Sequence, residues 1–142
     1  MDQFVTDEDQ DITPTVCTYN AWSTLPDTKC FKILCINARS LVRNFSSLVS
    51  YLSTVNFMFD CIIVVETWLK KDRDVGYEID GYRSHAIYRD ENRQGGGIKI
   101  YHQNYIHAQI VSNFTVLNDD IESLFLEVST PSLKKKLYRR FI

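Results

Sequence analysis

The sequence has no hydrophobic run long enough to cross a membrane. Its longest, Cys61–Val65, has five residues, whereas a spanning helix needs about 20. The N-terminal residues are acidic, where a secretory signal peptide needs a basic stretch followed by an apolar one. The formal net charge is only -2, so nucleic-acid binding would require a local basic patch. These absences predict an intracellular protein, cytoplasmic or nuclear, with no membrane partner.

Cysteine pairs are also missing. Four cysteines are present, but none forms a CxxC pair, and the three histidines are not spaced to complete a zinc site with them. Cys35 and Cys61 lie inside apolar runs, and this position is typical of small, buried, reduced thiols.

The length of 142 residues suits one domain, and 44% hydrophobic with 24% charged residues is ordinary for a globular protein. Residues 1–30 are acidic, lack an apolar period and are interrupted by proline, so we expect a disordered acidic leader. Residues 31–130 carry the folded domain. Residues 131–142 hold five cations and form a basic tail.

The folded part begins with a strand, a helix and a second strand. FKILCI (31–36) and CIIVVE (61–66) are nearly continuous apolar runs, typical of strands buried on both faces. Between them one apolar stripe at helical spacing predicts a helix with Ser40 as its N-cap; the stripe comprises Leu41, Phe45, Leu48, Leu52 and Val55. A strand–helix–strand unit predicts parallel strands and an α/β fold.

Further strands follow this unit. Residues 82–88 and 97–102 read as strands around the polar, glycine-rich loop RDENRQGG, which suits a hairpin. Residues 105–111 and 123–128 alternate well enough to form two more strands. Gly95, Gly96 and Gly97 serve the backbone conformation, since glycine tolerates positive φ.

Asn37 follows the first predicted strand directly, and Glu66 ends the second. If these strands are parallel neighbours, both side chains emerge at one edge of the sheet, roughly 5 Å apart, where ligands of such sheets bind. A carboxylate placed there needs water, a cation or a metal ion, and Mg²⁺ accepts one or two carboxylates with waters. The alternative is structural: Asn37 caps a turn and Glu66 pairs with a nearby Arg or Lys.

Three segments carry a family resemblance. INARSL (36–41), VETWL (65–69) and GYRSHAIYRDENRQGGGIKIY (81–101) occur in the order found in the endonuclease domains of non-LTR retrotransposons. Those domains belong to the endonuclease/exonuclease/phosphatase superfamily. The chain resembles them from about Phe31 to about Lys136. The resemblance implies an α/β fold that is a truncated, N-terminal part of a two-sheet α/β sandwich, with DNA as the partner of the intact domain.

The resemblance also implies residue roles. Asn37 and Glu66 match catalytic residues, and Glu66 matches the glutamate that binds Mg²⁺ or Mn²⁺. Arg39 and Arg89 are candidates for contact with nucleic-acid phosphates. Trp68 belongs to the second motif, and we expect it to pack against its neighbours.

The sequence departs from the family in lacking GDFN-like and SDH-like motifs, which supply the groups around the attacking water. We therefore expect a fragment of a metal-dependent DNA endonuclease domain that is inactive as written and holds metal weakly. We also expect the second sheet to be missing, so that one apolar sheet face needs a partner or the absent half to cover it. The alternatives are a non-catalytic nucleic-acid-binding or relic module, and a phosphoesterase of the same superfamily.

Overall fold

The computed structural model describes residues 31–89, 92 and 95–131. The predicted acidic leader, and the basic tail apart from Pro131, lie outside the described residues. Among the helices in this part of the chain, none is long and apolar enough to span a bilayer.

The described residues form a mixed α/β fold, as predicted. The strand–helix–strand unit is present with both of its strands and its helix. The predicted hairpin is also present with both of its strands. The elements are β1 (Ile33–Asn37), α1 (Leu41–Thr54), β2 (Cys61–Val65), β3 (Tyr82–Ile87), β4 (Ile98–Gln103), β5 (His107–Ile110), β6 (Val116–Leu117), β7 (Glu122–Ser123) and β8 (Leu126–Ser129). The strand predicted over 123–128 is thus divided between β7 and β8.

The main sheet has four strands in the order β1-β2-β4-β3. Strands β1 and β2 are parallel, with Asn37 opposite Val65 at their carboxyl ends. Strand β4 runs antiparallel to β2 and places Ile98 opposite the same Val65, and β3 pairs with β4 as a hairpin. The carboxyl ends of β1 and β2 therefore meet the start of β4 at one edge.

Helix α1 begins at Leu41, but not by the predicted mechanism. Ser40 occupies the N-cap position without a side-chain capping bond and has a left-handed φ of 88°. Its backbone N–H donates to Glu66 O at 2.8 Å, and its own carbonyl accepts from the Asn44 N–H at 3.1 Å. The prediction of a Ser40 hydroxyl cap is wrong because the backbone turns here to reach the end of β2.

One face of the main sheet packs against α1 and the chain around residues 57–79. Its buried sheet residues are Leu34, Ile62, Val64 and Tyr101, and those of the helix are Leu41 and Leu48. The same face carries Lys99, whose side chain is fully buried.

Lys99 is buried as a charged group because acidic partners surround it. Its ammonium lies 2.6 Å from Asp74 Oδ1 and 3.0 Å from Glu78 Oε1. The Tyr88 hydroxyl donates to the other oxygen of Asp74 at 2.5 Å. Because the ammonium itself is fully buried, these contacts tie the chain after β2 to the sheet.

The second face of the sheet is covered in its middle. Strands β5 and β8 form a two-stranded sheet, and Leu126 and Val128 of β8 belong to one buried cluster with Cys61, Ile63 and Ile100. The expectation of a bare second face is therefore wrong for this region. The expectation was wrong because it gave the later predicted strands no place on this face, whereas β5 and β8 pack against it.

The second face of the main sheet is no longer covered at β1, the strand at the end of the sheet, as its two cysteines in neighbouring strands show. Cys61 is buried, and burial raises the pKa of its thiol to about 12. Cys35 is exposed, although the sequence predicted a buried thiol. The apolar run was read as a strand enclosed on both faces, but β1 stands at the end of the strand order, where one face of the sheet is open.

Two histidines stack on the covered face. The rings of His85 and His102 lie 5.3 Å apart and 18° from parallel. His102 is only 2% exposed, and its Nε2 has no hydrogen-bond partner among the described residues. Burial is the largest cause that lowers the pKa of both rings, and for His102 the neighbouring His85 and Arg83 lower the pKa further.

These lowered pKa values predict a loss of stability in mild acid. Below the ordinary histidine pKa of about 6.5, these histidines bind protons in the unfolded chain but stay neutral in the folded one. The free energy of unfolding therefore decreases as the pH is lowered through this range. Urea unfolding at about pH 7.5 and about pH 5 should show this loss. The double variant His85→Gln/His102→Gln should lose much of the pH dependence, whereas His107→Gln, at an exposed position, should retain it. Equal pH dependence in all three proteins would contradict the assignment.

Candidate functional site

The carboxyl ends of β1 and β2 bring Asn37 and Glu66 to the same edge of the sheet. Asn37 is the last residue of β1, opposite Val65, and Glu66 follows Val65 directly. Backbone bonds continue past the strands, since Ala38 N donates to Val65 O at 2.9 Å. The prediction that both residues lie at one edge of neighbouring parallel strands is confirmed; their chemical roles stay predictions.

This edge is also where the backbone is strained. Arg39, Ser40, Glu66 and Trp68 have φ values of 44°, 88°, 55° and 55°, and they are the non-glycine residues with positive φ in the described part of the chain. A left-handed conformation costs such residues roughly 1–2 kcal/mol each. Strain of this kind concentrates at functional sites, so its clustering singles out this edge.

The Glu66 carboxylate is held by two donors. Its Oε2 accepts a hydrogen bond from the Trp68 indole at 2.9 Å and another from the Gly96 backbone N–H at 3.0 Å. The Trp68 bond is the main cause that holds the pKa of Glu66 below its ordinary value, followed by the Gly96 bond, with a smaller contribution from Arg89. The carboxylate is therefore charged at neutral pH. Oε1 accepts no hydrogen bond from the residues that the structure describes.

Three consecutive glycines face this carboxylate. Gly95, Gly96 and Gly97 have φ values of 86°, 70° and 83°, which confirms the prediction that they serve backbone conformation. Gly96 and Gly97 also accept through their carbonyl oxygens, from Trp68 N at 2.9 Å and Thr67 N at 3.2 Å. The glycine segment, residues 95–97, is thus pinned against residues 66–68 along both backbones.

A second carboxylate lies on the other side of the glycine segment. Glu122 Oε2 accepts from the Gly97 N–H at 2.9 Å. Glu122 Oε1 lies 2.6 Å from Arg89 Nε, in an ion pair whose side chains are 14% and 28% exposed. Arg89 was predicted to contact nucleic acid; in the structure its Nε is engaged by Glu122.

Asn37 and Arg39 lie apart from these contacts. Asn37 Oδ1 accepts from the Arg39 backbone N–H at 3.0 Å, which is the turn-capping geometry that the sequence left open as the structural alternative. Both residues line an open groove of about 500 Å³ between the end of β1 and helix α1, to which Glu66 does not contribute. The four predicted site residues therefore do not form one cluster: Asn37 contacts Arg39, whereas Glu66 and Arg89 both lie against the glycine segment.

Two residues of the site were missed from the sequence. Trp68 was expected to pack, but it is 40% exposed and acts as a hydrogen-bond donor to Glu66. Glu122 was not considered at all, because its partners Gly97 and Arg89 are far away in the sequence. Only the position of Trp68, two residues after a candidate ligand, could have hinted at its role.

Glu66 is the residue at this edge that could hold a divalent cation. Glu66 offers a charged carboxylate with one oxygen left open, and Mg²⁺ can be bound by one carboxylate with several waters. No group of three or more His, Cys, Asp or Glu side chains suited to a metal occurs among residues 31–89, 92 and 95–131. Among the predicted residues, Glu66 is the one whose chemistry suits the ion.

Comparisons of this chain with family models, with curated proteins and with solved structures find no match. The family resemblance therefore depends on the three sequence motifs alone.

The Gly97 position predicts a measurable packing constraint. A methyl group there would lie 2.5 Å from Thr67 Oγ1 and 3.4 Å from the Ile87 carbonyl oxygen, and Thr67 is buried. Gly97→Ala should therefore lower the free energy of unfolding by about 2–4 kcal/mol, combining left-handed strain with overpacking.

Gly76→Ala is the matched control, because φ is +99° and no atom lies within 4 Å of the added methyl group. It should cost only about 1–2 kcal/mol. Urea denaturation of both variants makes the comparison, and equal losses would show that the contact with Thr67 does not matter.

Proposed function

We propose that this chain carries the N-terminal part of a metal-dependent DNA endonuclease domain of the non-LTR retrotransposon kind, in which Glu66 is a ligand of Mg²⁺ or Mn²⁺. On this proposal the fold is part of the two-sheet α/β sandwich of the endonuclease/exonuclease/phosphatase superfamily.

The observation that carries the proposal is that the three resembling motifs meet through hydrogen bonds. Ser40 of the first motif donates to the Glu66 carbonyl of the second. Gly96 of the third motif donates to the Glu66 side chain. Segments that are separate in sequence thus converge on one acidic residue, which is the arrangement expected of a composite site.

On this proposal the residues of the site have different roles. A bound divalent cation would polarise a phosphate oxygen and offset its developing negative charge. Trp68 and Gly96 orient the carboxylate of Glu66 and keep it ionised. Arg39, which is exposed at the groove, is the better candidate for a phosphate contact, since Arg89 already forms an ion pair with Glu122.

A non-catalytic role follows for these 142 residues taken alone. They contain neither a GDFN-like nor an SDH-like motif, so they lack the groups that position and deprotonate the attacking water in the family. The Asn37 side-chain oxygen accepts from the backbone of its own turn. We therefore propose that these 142 residues bind a cation without hydrolysing DNA.

Metal binding can be tested with Mn²⁺ as a paramagnetic probe in NMR. Substoichiometric Mn²⁺ should broaden the Gly96 amide and Trp68 indole signals first, because both protons lie against the Glu66 carboxylate. Glu66→Gln should abolish this selective broadening, whereas Glu127→Gln, the same chemical change in β8, should not. Broadening that persists in Glu66→Gln, or none at all near Gly96, would contradict the proposal.

Catalysis can be tested with supercoiled plasmid DNA and Mg²⁺. The full 142-residue chain should produce no nicked circles above a protein-free control, because no described residue is placed to activate water. Nicking by the chain that disappears in Glu66→Ala would overturn the non-catalytic assignment while supporting the metal site.

A further inference from the structure

Glu122 joins parts of the chain that are distant in sequence. It lies in β7, where it pairs with Leu117 of β6, and its side chain reaches back to the β3–β4 hairpin. There it engages Arg89, two residues after β3, and the Gly97 N–H, directly before β4. Both ends of the hairpin loop are thus held by one carboxylate.

The two carboxylates hold neighbouring amides. Glu66 accepts from Gly96 N–H, and Glu122 accepts from the next N–H, that of Gly97. Glu122 also fills the space beside Gly96, where an added methyl group would collide with its carboxylate. The position of the Gly96 amide, and with it the orientation of Glu66, is therefore coupled to Glu122.

The positive charge of Arg89 allows the carboxylates of Glu66 and Glu122 to lie close together. Two carboxylates on either side of one short segment would repel each other if neither were compensated. Arg89 compensates Glu122 through a largely buried ion pair at 2.6 Å and also acts on Glu66. The Arg89 guanidinium therefore offsets the repulsion between the two carboxylates.

We propose that Glu122 is a positioning residue for the metal ligand: together with Arg89 it fixes the glycine segment so that the Gly96 amide holds the Glu66 carboxylate in place for a divalent cation. The inference rests on the proposed function of Glu66. Partners that orient a metal ligand in this way typically change metal affinity by about 10–100-fold when removed.

The test compares Glu122→Gln with Glu127→Gln in the full chain. Mn²⁺ affinity is measured by titration below the unfolding temperature of each variant. Glu122→Gln should weaken Mn²⁺ binding by about tenfold, and Glu127→Gln should leave it unchanged. A role in stability alone would lower the unfolding temperature without altering the affinity of the folded protein, and that result would overturn the proposal.

Arg89→Lys supplies a second variant that keeps the positive charge and separates positioning from direct ligation. If Glu122 positions Glu66, replacing the guanidinium should loosen the glycine segment and weaken Mn²⁺ binding. If Glu122 were itself a ligand, loosening its ion pair would strengthen binding, and the proposal would fail. This variant also decides the matter should Glu122→Gln not fold.

A measurement in the absence of metal tests the role of Glu122 separately from the proposed metal site. Hydrogen exchange of the Gly96 and Gly97 amides should accelerate in Glu122→Gln and remain unchanged in Glu127→Gln. Faster exchange combined with no Mn²⁺ binding by the unmodified chain would refute the metal site and leave the coupling between Glu122 and the glycine segment intact. Unchanged exchange at Gly96 would refute the coupling itself.

Discussion

The hydrogen bond from the Gly96 amide to the Glu66 carboxylate is the interaction on which the edge of the sheet depends. It requires left-handed backbone on both sides, at Glu66 and at Gly96. Strain at a non-glycine residue costs roughly 1–2 kcal/mol, and hydrogen bonds to a charged group contribute about 1.5–3 kcal/mol each. Because Glu66 accepts two such bonds, the strained turn after β2 is stable when both donors are in place.

The elements of this fold follow from patterns along the chain. Apolar runs predicted β1 and β2, and the stripe through Leu48 predicted α1, because burial favours one periodicity in each segment. The parallel arrangement of β1 and β2 then placed Asn37 and Glu66 at one edge. This much of the site could be predicted because each residue is adjacent in sequence to the strand that positions it.

The remaining features could not be predicted because their causes are distant in sequence. Ser40 adopts a left-handed conformation in response to the Glu66 carbonyl, and no local propensity for capping reveals that bond. The exposure of Cys35 depends on which strand occupies the end of the sheet. Glu122 has an unremarkable sequence context, and its role depends on Gly97 and Arg89.

Both faces of the main sheet support the edge at Glu66. On one face, Lys99 is one position from the end of the β2–β4 pairing, opposite Val64, and its ion pair with Asp74 fixes the chain that follows Trp68. On the other, Glu122 ties the glycine segment to the strands that cover the second face. A carboxylate held by supporting contacts from two directions has little freedom to reorient. The later strands therefore stabilise this edge as well as the core, because Glu122 of β7 fixes the segment whose Gly96 amide orients the Glu66 carboxylate.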